Sequence, residues 1–228
     1  MKKIFTIALF MLGAVAITFA ANEETRNLGN FSTLATSSGV KVILVKGSSN
    51  KAKIETVNAD TDEIITVVKG DELQIKWKSN KGSWKNRKGK VILTYKNIEG
   101  ISVSSGSMVK SDDVLESRDL FMNVSSGGLC NLEISTNEIR INVSSGGNLT
   151  LEGQADESDV DVSSGGYLNA VDLKSDHSKV NSSSGGAAKV WVEKSIRASA
   201  NSGGMVKYKG NPENTNINSG FSGSVKKM

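Results

Sequence analysis

Seven times between Ser104 and Gly220 the sequence places Ser or Asn, then Ser, then Gly, with the glycines at 106, 127, 146, 165, 185, 203 and 220. The intervals run from 17 to 21 residues, too regular for chance and too short for a helical-hairpin repeat or a propeller blade. A unit this small cannot bury an apolar face alone, so the period demands a stack of coils in which each repeat rests on the next.

The residues around each glycine say what a coil is made of. Before it, small apolar side chains alternate with polar ones: Ile101 and Val103, Met122 and Val124, Ile141 and Val143, Val160 and Val162, and in the seventh repeat Thr215 and Ile217. After it, Val109, Cys130, Leu149, Leu168, Ala188 and Val206 occupy the third place, and Ser111, Leu132, Leu151, Ala170, Val190 and Tyr208 the fifth. Alternation with period two is a strand with one buried face, so each corner joins two short strands. Glycine suits the corner because backbone at positive φ costs a residue with a Cβ about 1–2 kcal/mol. The neighbouring serine can bond its hydroxyl to backbone there. Gly146→Val should therefore destabilise, while Asn148→Val should hardly matter. The fold class that follows is all-β, a single-stranded right-handed parallel β-helix whose coils stack about 4.8 Å apart.

Composition agrees. Apolar residues make up 37% of 228, with 23 glycines besides, which is globular rather than disordered. Few aromatics and a single proline, Pro212, suit a thin core in uninterrupted ladders. Lys2 and Lys3 precede an uncharged run over residues 4–19, and Thr18, Phe19 and Ala20 offer a small-residue cleavage site, so residues 1–20 read as a signal peptide. The run is shorter than the roughly 18–20 apolar residues needed to span a bilayer, and the mature chain is expected to carry no transmembrane segment. The expected location is the periplasm, the outer cell surface or the extracellular space. Without residues 1–20 the formal net charge falls from +4 to +2, so long-range steering by charge is weak. The lone Cys130 stands in a column of Val, Leu and Ala and is expected as a small buried hydrophobe.

Upstream, residues 21–98 are β-patterned without the repeat. Residues 31–36, 40–46, 51–57, 64–69, 72–78 and 90–96 read as strands, 59–65 as a helical turn, and Ser37-Ser38-Gly39 as a first corner. These are expected to be irregular, wider coils of the same domain as the repeats at 99–228, closing one end of the solenoid against edge pairing.

The opening Phe31-Ser32-Thr33-Leu34, the run from Gly39-Val40-Lys41-Val42 through Gly47, the phrase Asp71-Glu72-Leu73-Gln74-Ile75 and the Ser-Gly repeats together resemble the head GIN domain family of putative auto-transporter adhesins, a Bacteroidetes-type secreted β-helix family. The resemblance spans nearly all of the mature chain. It implies a right-handed β-helix at the cell envelope that serves adhesion, with no catalytic residues to carry over.

Enzymatic chemistry has one foothold. β-Helices can host polysaccharide lyases and hydrolases, which need clustered carboxylates, and Asp156, Glu157, Asp159 and Asp161 lie one coil before Asp172, Asp176 and His177. These charges do not recur at one stacked position and read as solvated loop charges. No cofactor and no metal site is expected, because zinc spacing, phosphate loop and serine triad are all missing from the sequence. The stronger candidate is residues 76–90, with seven cations in fifteen residues, no acid, and Trp77 and Trp84. This reads as an extended basic hairpin in which Lys81, Trp84, Lys85, Arg87 and Lys88 contact an acidic polysaccharide or cell-surface glycan, with Trp84 stacking on a sugar face and Trp77 in the core. Specific nucleic-acid recognition is not expected, and the oligomeric state is open. A polar column, Lys110, Asn131, Thr150, Asn169, Lys189 and Lys207, forms a second possible surface but mixes residue types. The reading is a non-enzymatic envelope or surface binding and adhesion module. A carbohydrate-active β-helix enzyme is the alternative.

Overall fold

The computed structural model describes residues 22–78 and 86–228. The expected signal peptide lies outside the described residues. Among the described residues, seventeen strands join into one sheet wound on itself. The first nine are β1 (Asn22–Asn27), β2 (Thr33–Thr36), β3 (Lys41–Lys46), β4 (Lys51–Val57), β5 (Ile64–Lys69), β6 (Glu72–Trp77), β7 (Lys88–Tyr95), β8 (Gly100–Val103) and β9 (Met108–Ser111). The long rungs follow as β10 (Leu115–Val124), β11 (Leu129–Val143), β12 (Asn148–Val162), β13 (Tyr167–Ser182) and β14 (Ala187–Ala200), then β15 (Met205–Lys209), β16 (Asn214–Ser219) and β17 (Ser224–Lys227).

From β8 onward each rung pairs in parallel with the next, and equivalent repeat positions superpose: Met122 on Ile141 on Val160 on Val180, and Cys130 on Leu149 on Leu168 on Ala188. The inward columns are buried, between 0 and 4% exposed in these two series, so every coil completes its core only with its neighbours. Ser182 interrupts the valine column without leaving a polar atom stranded. Its Oγ donates to the Gly186 carbonyl at 2.8 Å and accepts from the Met205 amide at 3.2 Å.

The corner is a tight turn with two left-handed residues. In the six corners from residue 104 to 204, the serine before glycine has φ between 49° and 51° and the glycine between 70° and 76°. Main-chain bonds close each turn from the fourth residue to the first, as Gly147 N to Ser144 O at 2.8 Å. Positive φ at both central positions is the mark of a type I′ turn. The turns also bond to one another, Gly127 N to Ser145 O at 3.2 Å and Gly146 N to Ser164 O at 3.3 Å, so the corner column has its own ladder. The second glycine answers a different need. A Cβ on Gly147 would lie 2.3 Å from the Val124 carbonyl oxygen, and one on Gly166 2.5 Å from that of Val143.

The seventh corner corrects the sequence reading. Ser219 pairs with Ala200 and Ser224 with Met205, so the turn is Gly220-Phe221-Ser222-Gly223, with the positive φ at Ser222 rather than Gly220. Ile217, not Thr215, therefore continues the column of Ala198.

The N-terminal irregularity has a specific form. The β2–β3 rung carries the corner foreseen at Ser37-Ser38-Gly39, with φ of 66° at Ser38 and 78° at Gly39. It does not stack in chain order. β2 lies between β6 and β8, and β3 between β7 and β9, so the later β6–β7 rung lies outside the earlier one. Antiparallel β5 covers the outer edge of β6, β4 covers that of β7, and β1 covers β4. The helical turn appears as a 3₁₀ turn at Thr61–Glu63. Strand β1 gave no apolar pattern to read. Arg26 braces it instead, donating to the carbonyls of Ile64 at 2.6 Å and Thr61 at 3.0 Å while pairing with Glu24 at 2.6 Å. That guanidinium holds the Glu24 carboxyl down at about 2.

Candidate functional site

The basic segment occupies a defined place in the stack. Thr36 pairs with Ile75 and Lys41 with Lys90, so residues 76–89 stand where the rung above has a four-residue corner. Crossing from one wall to the other takes ten residues more in β6–β7 than in β2–β3. Lys81, Trp84 and Lys85 lie outside the described residues. Trp77, as expected, is core, 6% exposed, and packs over Gly89, where a Cβ would come within 2.7 Å of its ring.

Folding supplies this segment with acids that its linear sequence lacks. Lys78 meets Asp62 at 2.8 Å, Arg87 pairs with Glu63, and Lys90 pairs with Glu55. The Arg87 side chain is only 10% exposed, and its guanidinium lies 5.0 Å from the centre of the Trp77 ring, so it acts as a strut at the base of the extension. Lys88 is exposed. Lys90 and then Lys53 hold the Glu55 carboxyl below its ordinary value.

The carboxylates between residues 156 and 176 lie on β12 and β13 rather than in loops, and four of them make cross-rung contacts. Asp159 meets Lys179 at 3.0 Å, Asp161 accepts from Asn181 at 3.0 Å, Asp176 meets Lys194 at 2.7 Å, and Asp172 meets Lys209 at 3.6 Å. Glu157, His177 and Ser195 superpose in one column, with His177 Nδ1 2.7 Å from Ser195 Oγ, along an open groove of about 510 Å³. No group of three or more His, Cys, Asp or Glu able to hold a metal occurs among the described residues.

Cys130 is 4% exposed, and burial alone pushes its thiol far above the ordinary range. The polar column stands in register from Lys110 through Asn131, Thr150, Asn169 and Lys189 to Lys207. It extends one rung further, to Lys226, which sequence reasoning missed because the seventh corner was misplaced.

Residues 30–212 match the family model described as Putative auto-transporter adhesin, head GIN domain. The fold is shared with a putative adhesin from Bacteroides fragilis, TM-score 0.82 at 17% identity over 92% of this chain and 98% of that one. A putative adhesin from Parabacteroides merdae follows at TM-score 0.70 and 14% identity, covering 91% and 96%. A putative lipid binding protein from Parabacteroides distasonis gives 0.63 at 19%, covering 91% and 97%. No curated protein matches the chain. No helix among the described residues is long and apolar enough to cross a membrane. The family match covers well over half of the sequence, and the chain belongs to the head GIN domain family of putative auto-transporter adhesins.

Proposed function

We propose that the chain is an exported, non-enzymatic binding and adhesion module of the cell envelope or surface, and that the extension at residues 76–90 contacts acidic glycans. The reading is carried by one observation: a corner that four residues close elsewhere is ten residues longer here and loaded with cations. The solenoid does not need those residues to turn. Arg87, tied to Glu63 and Trp77, fixes the base of the extension, while Lys81, Trp84, Lys85 and Lys88 supply the contact. One structural neighbour bears a lipid-binding name, and lipopolysaccharide phosphates belong to the same anionic class as uronates and sulfates.

Heparin and polygalacturonate retention tests this. Lys81→Gln, Lys85→Gln and Lys88→Gln together should weaken retention at least tenfold with no loss of thermal stability. Unchanged retention removes the extension as the contact. New reducing ends or unsaturated products on incubation with acidic polysaccharides would replace adhesion with a carbohydrate-active enzyme.

A further inference from the structure

Lys78, Arg87 and Lys90 at the base of the extension are neutralised by neighbours, whereas Lys189, Lys207 and Lys226 toward the other end of the solenoid are not. Lys189, Lys207 and Lys226 pair in register on successive rungs, which places three ammonium groups on one outward line at intervals of about 4.8 Å. Like charges opposite one another weaken strand pairing. Among the described residues none of the three makes an ion pair, and none holds an interaction beyond the Lys189 contact with the Tyr167 ring at 5.6 Å. Two residues along the same strands, Trp191 and Lys209 superpose, with the ammonium 3.9 Å from the ring centre. Lys209 also meets Asp172 at 3.6 Å.

The surroundings limit what can lie here. On the same wall, two residues along from Asn131 and Thr150, Glu133 stacks on Glu152. A polyanion following the wall is attracted by the last three rungs and repelled by the acidic rungs beside them.

We propose that Lys189, Lys207 and Lys226 form a second binding site, distinct from the 76–90 extension, for a short stretch of a linear acidic polysaccharide. An extended chain of uronic acids carries one carboxylate per ring, turned to different sides along the chain. It runs across the rungs with the carboxylates of one side over the lysine line, each shared between neighbouring ammonium groups. Ligand binding relieves the repulsion that the free stack tolerates. The site rests on reading the chain as a binder of acidic polymers, and it stands or falls separately from the extension.

The test measures binding of galacturonate oligomers of two to eight units to the full mature chain at low and moderate salt. The comparison is wild type, Lys189→Gln/Lys207→Gln/Lys226→Gln, and the Lys81→Gln/Lys85→Gln/Lys88→Gln variant. The ladder variant should lose at least tenfold in affinity for the tetramer and melt no lower than wild type, since a repulsive column has been removed. The extension variant should keep the tetramer, and affinity should level off at three to four units. Unchanged tetramer affinity in the ladder variant overturns the site. If the extension variant alone loses binding, the site falls while the proposed function survives. If wild type binds no acidic polymer, both fall. Single-stranded DNA held as tightly as polygalacturonate overturns the sugar chemistry.

Discussion

Gly147→Ala should cost markedly more than Gly146→Ala, although both glycines stand in the same turn. At Gly146 the backbone has φ of +70° and nothing lies within 4 Å of the place a Cβ would take, so alanine bears only the left-handed strain, about 1–2 kcal/mol. At Gly147 the Cβ would sit 2.3 Å from Val124 O, 2.7 Å from Val124 C and 3.0 Å from Ser125 N. These are backbone atoms of the rung beneath and cannot rotate away. Relief requires the two rungs to part, straining the bonds from Ser144 N to Val124 O at 3.0 Å and from Asn148 N to Gly128 O at 2.9 Å. Two such bonds are worth about 1–3 kcal/mol together, and the overpacking adds about 1–3 kcal/mol more. Ser107 occupies the equivalent place two corners earlier, fully buried, and there the Gly39 amide donates to its hydroxyl at 3.1 Å, so a Cβ is accommodated where the neighbouring rung offers room. Urea midpoints of the two alanine variants, with amide exchange at Ser144 and Asn148, give the comparison. Equal midpoints, or a milder Gly147→Ala, would refute the argument from stacking contact.

The Tyr95 hydroxyl is buried without a hydrogen-bond partner among the described residues, so Tyr95→Phe should leave stability unchanged or raise it by about 1 kcal/mol; a loss of that size in the urea midpoint would contradict this. Glu24, held at about 2 against an ordinary 4.5, contributes stability that is complete above pH 4.5 and fades as pH falls toward 2. Amides of β1 should therefore lose protection on acidification before those of β11–β13, and Arg26→Gln should remove that extra sensitivity; an unchanged acid response in the variant would contradict the pairing. Cys130 should resist thiol reagents in the native protein at pH 8 and react fully in urea, whereas prompt native labelling would place it outside the core.

What could be read from the chain was whatever repeats within it. The apolar columns and the corner glycines recur at a fixed offset, and local spacing alone aligns them. The same regularity misled at the last corner, where Asn218-Ser219-Gly220 copies the motif while the paired rungs place the turn two residues later. The column Gly128, Gly147, Gly166, Gly186, Gly204 and Gly223 was visible in the sequence and held the answer, but its cause is contact with the rung beneath, which a linear pattern does not state. The corner serines also concealed their left-handed backbone, because serine carries no compositional mark of positive φ as glycine does. The N-terminal strands after β1 were legible one by one, and their stacking out of chain order was not, since apolar alternation says which face is buried but not against which rung. The charge balance at the base of the extension was hidden for a related reason. Asp62 and Glu63 in the 3₁₀ turn and Glu55 in β4 reach Lys78, Arg87 and Lys90, and a count along residues 76–90 cannot include them.

Paired cysteines at the corners test the in-register stack most directly. Ser145 and Ser164 occupy equivalent places on adjoining rungs, about 4.8 Å apart and within disulfide reach, while Ser145 and Ser184 are two rungs apart. Under mild oxidation, Ser145→Cys/Ser164→Cys should close an intramolecular disulfide in native protein, and Ser145→Cys/Ser184→Cys should not. Equal crosslinking of the two pairs, or none in the first, would contradict the superposed corners on which the whole account stands.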